Sequence, residues 1–119
     1  MIQTKTNLKL ADNSGAKICV CIKLYKTCYA TVGSIILVSI KAIKSQSKLK
    51  TGDLYKAVVV RRAFKTRRSN NMFISFNDNA VVLLNKKSDL ISSRILGPVG
   101  IEIRKQSLVK VLSLSSFII

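Results

Sequence analysis

The side chains able to do chemistry in this sequence are overwhelmingly cationic. Arg61, Arg62, Lys65, Arg67 and Arg68 form the densest group, and Lys41, Lys44, Lys48 and Lys50 form a second with no acid among them. Lys86 and Lys87 make a third group, and Arg94, Arg104 and Lys105 a fourth. A guanidinium grips a phosphate through a planar fork of N–H donors, and an ammonium neutralises it as a point charge. The 119 residues carry 21 Lys+Arg against 5 Asp+Glu, a formal net charge of +16. Cations at that density repel one another and oppose a compact state. Near neutrality such clusters would read as a solvated face, but here the acids that would pair with them are scarce. The chemistry indicated is phosphate binding along a nucleic acid.

Other chemistries lack their residues. The chain has no His, so the commonest general base and the usual partner of a Ser or Cys nucleophile are missing. The acids Asp12, Asp53, Asp78, Asp89 and Glu102 are scattered, with no pair close in sequence. The five glycines make neither a P-loop nor a dinucleotide fingerprint and read as turns. Cys19, Cys21 and Cys28 are odd in number and lack CxxC spacing, which argues against a disulfide framework and a zinc site. They read as small buried hydrophobes in a reducing compartment. No enzyme, metal site or cofactor is expected.

The type of nucleic acid is narrowed by what is absent. No helix-turn-helix, zinc finger or basic zipper is apparent, and the seven aromatics form no RNP-type stacking motif. Phosphate and shape recognition of folded RNA, or nonspecific DNA binding, remain. A DNA-compacting protein would bind duplex DNA and RNA alike, which separates the two readings.

These cations need a scaffold, and the pattern is that of short β-strands. Hydrophobic residues make up 48% of the chain, enough for a core. Apolar, β-branched runs lie at Asn7–Leu10, 17–24, 34–40, 54–60, 72–76 and Ala80–Leu84. Six short strands at this spacing predict an all-β barrel or sandwich. The unbroken run Ile35-Ile36-Leu37-Val38 predicts a strand buried on more than one side, or one whose end is covered by another layer. Turns are marked by Asp12-Asn13-Ser14-Gly15, Thr51-Gly52-Asp53, Ser69-Asn70-Asn71 and Asn77-Asp78-Asn79. Pro98, within Gly97-Pro98-Val99-Gly100, is expected to end the β-region. One or two short helices follow, with a strand at 108–112 as the competing reading. The expected division is a barrel over 1–96, with a ribbon at about 61–76, and a short helical segment over 97–119, all one domain. The longest stretch without charge, residues 27–40, is 14 residues long. A membrane-spanning helix needs about 20 apolar residues. The opening Met1-Ile2-Gln3-Thr4 lacks a leader pattern, so the protein is expected to work where it is made.

The ordered motifs resemble one family. Ala11-Asp12-Asn13-Ser14-Gly15-Ala16-Lys17, Cys21-Ile22-Lys23, Val32-Gly33 and Ile40-Lys41 match its first half. Gly52-Asp53, Lys56-Ala57-Val58-Val59-Val60-Arg61, Arg67-Arg68, Asn79-Ala80 and Val82-Leu83-Leu84-Asn85 form the most specific block. Arg94-Ile95, Gly97-Pro98-Val99, Glu102 and Arg104 match its C-terminal signature. In this order the chain resembles the universal large-subunit ribosomal protein fourteen family, nearly end to end. It departs at Asn71, where the family usually has Gly, at a shortened 25–31 segment, at Ser45-Gln46-Ser47 and in the apolar tail.

The resemblance implies a five-stranded antiparallel β-barrel with a projecting β-ribbon and short C-terminal helices. It implies a structural part of the large ribosomal subunit, bound to large-subunit rRNA beside proteins of the three and nineteen families and touching small-subunit rRNA at a bridge. A ribosome-silencing factor is a further partner it implies. With the basic clusters, it gives an rRNA-binding set of Lys17, Lys23, Lys41, Lys44, Lys48, Lys50, Arg61, Arg62, Lys65, Arg67, Arg68, Arg94, Arg104 and Lys105. It gives a subunit-interface set of Lys41, Lys44, Ser45, Gln46, Lys48, Ser115 and Ser116. Richness in Ile, Lys, Asn and Ser resembles the product of an AT-rich organellar genome, so a mitochondrial location is expected, then a plastid, then a bacterial cytoplasm. Replacing Arg61, Arg62, Arg67 and Arg68 together is expected to release RNA with the fold intact. If about eight cations meet phosphate, log K for RNA should fall against log salt with a slope of about −6 to −7. A salt titration of the isolated protein measures this, and a slope near zero would refute phosphate binding.

Overall fold

The computed structural model describes residues 2–119 apart from Thr27, Gln46, Ser107 and Leu108, with the backbone alone of Lys105 and Gln106. Its strands are β1 (Asn7–Leu10), β2 (Ala16–Leu24), β3 (Ile35–Ile43), β4 (Leu54–Arg61), β5 (Thr66–Arg67), β6 (Phe73–Ile74), β7 (Ala80–Leu84), β8 (Ile95–Val99) and β9 (Ser115–Ile118). A 3-10 helix (Ile101–Gln106) and one α-helix, α1 (Val109–Leu114), separate the last two strands. Strands β1, β2, β3, β4 and β7 close into a barrel in that order. Strands β5 and β6 form a two-stranded ribbon leaving it, within the expected span of 61–76.

The barrel has the expected five strands, but it is mixed rather than wholly antiparallel. Four neighbouring pairs run antiparallel, and β1 runs parallel to β7, with Lys9 opposite Ala80 and Leu10 opposite Val81. The reason is geometric. Strands that alternate in direction can close a ring only in even number, so a ring of five must contain a parallel pair.

Burial explains the apolar runs. On β7 all five residues, Ala-Val-Val-Leu-Leu, are buried. Val81 and Leu83 pack inside the barrel with Ala57 and Val59 of β4, Cys19 and Cys21 of β2, and Ile36, Val38 and Ile40 of β3. Ala80 and Val82 face outward with Val60, where Ile95, Val99, Ile103, Val111 and Leu112 of the C-terminal segment cover them. Two-sided cover therefore falls on β7 and the end of β4. On β3 it fails, because Ile35 is exposed and Leu37 is only half-buried. An apolar run can reveal that a strand is well covered, but it does not say which strand the second layer chooses.

The C-terminal segment differs from the helical expectation for 97–119. Pro98 lies inside β8 rather than beyond the sheet. It is tolerated because the pairing of β8 with β9 is irregular between Ile95 and Pro98, where a residue without an N–H breaks no regular ladder. The apolar tail is β9, parallel to β8, and Ile119 N donates to Val99 O at 2.9 Å. The helix at Val109–Leu114 replaces the competing strand at 108–112, and Val111 and Leu112 are its buried face.

Two turns follow their sequence cues. Gly15 has φ 105°, and a Cβ there would collide with the side chain of Ser47. Asn71 takes φ 60° at the ribbon tip, the left-handed conformation that Asn tolerates. The three cysteines are free thiols. Cys19 and Cys21 share the barrel interior and Cys28 is exposed. Burial, helped by the nearby Asp12 charge, raises the Cys19 pKa to about 12 from 9.0. Between those values the folded chain holds a proton the unfolded chain has lost, so stability falls as pH rises through that window. The wild type should therefore lose more unfolding free energy than Cys19→Ala between about pH 8 and about pH 10.5 in denaturant titrations. In the native chain a thiol reagent should label Cys28 and reach Cys19 and Cys21 only on unfolding.

Candidate nucleic-acid interface

At one end of the barrel β2 begins, β3 ends and β4 begins, and five predicted lysines gather there. Ala16 pairs with Ile43, so Lys17 stands beside the strand that carries Lys41. The loop that follows is held from beneath. Lys44 N donates to Gly15 O at 2.8 Å, Leu49 N to Ser47 Oγ at 3.0 Å and Gly52 N to Ile40 O at 2.8 Å, while Leu49 is buried. Asp53 accepts from the Lys50 backbone N at 3.3 Å. Lys17, Lys41, Lys44, Lys48, Lys50 and Ser45 are all exposed. The loop backbone is thus fixed while its ammonium groups reach solvent. Gln46 lies outside the described residues.

The ribbon end is different, and three of its five cations are used inside the protein. Arg61 Nε lies 3.2 Å from Asp78 Oδ1, an ion pair whose angle does not make a hydrogen bond. The Arg61 guanidinium also fills the space where a Cβ on Gly97 would sit. Arg62 is only 4% exposed. It donates from Nη2 to Lys65 O at 3.0 Å and to Thr66 Oγ1 at 2.9 Å, and from Nη1 to Ala30 O at 3.5 Å. Its guanidinium carbon lies 5.5 Å from the centre of the Phe64 ring. Burial pushes its pKa below the ordinary value, with Tyr29 and Glu102 acting in the other direction. Arg68 Nε meets Glu102 Oε1 at 2.8 Å, and its Nη2 donates to the backbone O of Ile119. Lys65 and Arg67 alone of the five are exposed, with Arg67 donating to Asn71 Oδ1 at 3.1 Å. Removing all four arginines would thus damage the fold, contrary to the expectation from sequence.

The remaining groups lie further round. Lys86, Lys87, Arg94 and Arg104 are exposed, and the Lys105 side chain lies outside the described part. Lys110 pairs with Asp89 at 3.4 Å in the open, a contact worth about 0–1 kcal/mol. Asn13 donates to Ser93 Oγ at 3.3 Å, which sets the residues before Arg94 beside the Gly15 turn. Asp12 bridges to Ile95, and Ile95 pairs with Ser115. Ser116 is exposed, while Ser115 Oγ donates to Leu112 O at 2.7 Å. The 12–15 turn thus connects the lysine loop on one side with the start of β9 on the other.

Lys56 and Tyr25, two residues beside the expected Lys23, were missed from sequence. Register sets Lys23, Leu37 and Lys56 side by side across β2, β3 and β4. The Nζ atoms of Lys23 and Lys56 lie 5.6 and 6.0 Å from the centre of the Tyr25 ring. At this range and exposure a cation–π contact contributes about 0.5–1 kcal/mol. Lys56 and Tyr25 belong to no dense run, so only the strand pairing could have revealed them.

The family profile described as ribosomal protein L14p/L23e matches the chain over residues 1–119. Arg62→Ala should lower the unfolding free energy by about 1–3 kcal/mol, since it strips buried acceptors of their donor. Lys65→Ala with Arg67→Ala should stay within about 0.5 kcal/mol of wild type in the same denaturant titration while weakening RNA binding.

Proposed function

The chain belongs to the ribosomal protein L14p/L23e family, structural constituents of the large ribosomal subunit and not enzymes, and we propose that it works there by binding large-subunit rRNA and reaching small-subunit rRNA at a bridge. The observation that carries this reading is the fixed lysine loop. Its cations are exposed, and Asp53, the acid that closes the loop, accepts from the Lys50 backbone. Such groups replace counterions between RNA helices and let phosphates approach. The barrel supplies a rigid base, and Lys65 and Arg67 extend the charge along the ribbon.

We assign the bridge contact to Lys41, Lys44, Ser45, Gln46 and Lys48, with Ser115 and Ser116 next to them across the 12–15 turn. That proximity favours one continuous contact. The rRNA-binding set becomes Lys17, Lys23, Lys50, Lys65, Arg67, Arg94, Arg104 and Lys105 together with the loop, while Arg61, Arg62 and Arg68 serve to shape the ribbon. Large-subunit proteins of the three and nineteen families are the proposed neighbours, and a ribosome-silencing factor a further partner. Within the ribosome, the Ile-, Lys- and Asn-rich composition supports a mitochondrial source over a plastid or bacterial one.

Two measurements test this. A tagged chain should co-sediment with the large subunit in a sucrose gradient, and a free monomer pool in its place would overturn the reading. Lys41→Glu, Lys44→Glu and Lys48→Glu together should reduce joined ribosomes several-fold, counted per large subunit that has incorporated the variant. Unchanged joining would remove the bridge assignment.

A further inference from the structure

A cavity of about 450 Å³ opens between residues 24–26, residues 29–34 and the start of β3 beside Lys56 of β4. Its size falls within the roughly 300–1,000 Å³ typical of small-molecule sites. Its walls are aromatic and aliphatic, from Tyr25, Tyr29, Leu24 and Ile35. Ile35, on the outward face of β3, is exposed and lines this space. The polar lip is the Thr31–Ser34 turn, where Thr31 N donates to Ser34 Oγ at 3.0 Å and the two hydroxyls lie 3.2 Å apart. The charged rim is Lys26 and Lys56, with no carboxylate among the lining residues. Lys23 joins Lys56 over the Tyr25 ring. Two lysines therefore line an apolar slot, and a third stands over the ring at its edge.

This combination has a specific chemical complement. An apolar ligand would leave the lysines without a partner, and a bare phosphate would leave the slot empty. An unstacked nucleotide satisfies both, because its base has a π-face for an aromatic ring and its phosphate takes the cations. The lysines sit near the outer limit of cation–π range, so exchanging the ring for a phosphate costs them little. We propose that this cavity binds one extruded nucleotide of a single-stranded RNA segment. The base lies against Tyr25 and Ile35, its edge faces the Thr31 and Ser34 hydroxyls, and its phosphate lies between Lys26 and Lys56. The inference rests on the reading of the chain as an RNA-binding protein and adds a base-holding site to a mainly phosphate-directed surface.

The test uses the full chain and hexauridylate as the probe, with an abasic oligomer of the same length as its partner. Hexauridylate should bind more tightly than the abasic oligomer, and Tyr25→Ala should weaken it about 5- to 150-fold, the range for losing one base–aromatic stack. Tyr25→Phe should restore that affinity. Lys56→Ala should reduce the slope of log K against log salt by about 0.7. Resonances of Ile35 and Thr31 should shift with hexauridylate and not with the abasic oligomer. Equal affinity for the two oligomers, or no loss in Tyr25→Ala, overturns the site. So does an acidic peptide that shifts the Ile35 and Thr31 resonances where hexauridylate leaves them unmoved. Failure of the wild-type chain to co-sediment with the large subunit is a separate result, since that refutes the ribosomal RNA reading whatever the cavity binds.

Discussion

The parallel seam between β1 and β7 governs the layout of this molecule. A parallel partner cannot be reached by a hairpin, so the chain must travel from β1 around the other three strands before β7 arrives beside it. The seam is then fixed by the residues that follow β1. Ala11 N donates to Val81 O at 2.9 Å, and the buried carboxylate of Asp12 accepts from Leu83 N at 3.1 Å. The other oxygen of that carboxylate takes the Ser14 hydroxyl at 2.6 Å. One side chain therefore closes the ring and shapes the turn beneath the lysine loop. The same stretch receives the C-terminal segment, because Leu96 N donates to Ala11 O at 2.6 Å and Ile95 bridges to Asp12. That docking covers the outer faces of Ala80 and Val82, which would otherwise be apolar surface.

The five acids follow from the same economy. Asp12 holds the seam, Asp78 and Glu102 hold Arg61 and Arg68, Asp89 meets Lys110 and Asp53 fixes a turn. Three of them pair with a cation and two accept from backbone N–H groups, so none stands as a general screen against the surface lysines. Among the described residues no acid makes an ion pair with the cations of the lysine loop or with Lys23 and Lys56. A surface of this kind raises the free energy of the isolated protein and lowers that of its complex with a polyanion.

The sequence was most informative where a local rule operates without distant partners. Asn7–Leu10 and Ala80–Leu84 were legible to the residue, and Gly15 and Asn71 announced their turns. It was least informative where a tertiary partner decides. Ser115–Ile118 becomes a strand only because β8 offers it an edge, and Pro98 fits β8 only because the pairing there is irregular. The candidate site divided in the same way. The exposed lysines of the 41–50 stretch were readable from charge density alone. The ribbon arginines were not, since a run of five cations does not reveal that Arg62 turns inward to bind Lys65 O and Thr66 Oγ1. The register that aligns Lys23 with Lys56 through Leu37 spans three strands, beyond the reach of any sequence window.

The inward arginines change how the ribbon works. Two short strands, Thr66–Arg67 and Phe73–Ile74, have too few ladder bonds to stand alone in water. Arg62 braces their base from within, and Arg68 ties their far half to Glu102 and to the backbone at Ile119. The tail strand and the ribbon therefore support each other through one guanidinium. Lys65 and Arg67 are thereby carried on a backbone that is held in place, and an anchored backbone loses less conformational entropy on binding any partner. Charge and order are divided between neighbours in the same cluster, with half-buried or buried arginines holding the shape and Lys65 and Arg67 left facing solvent.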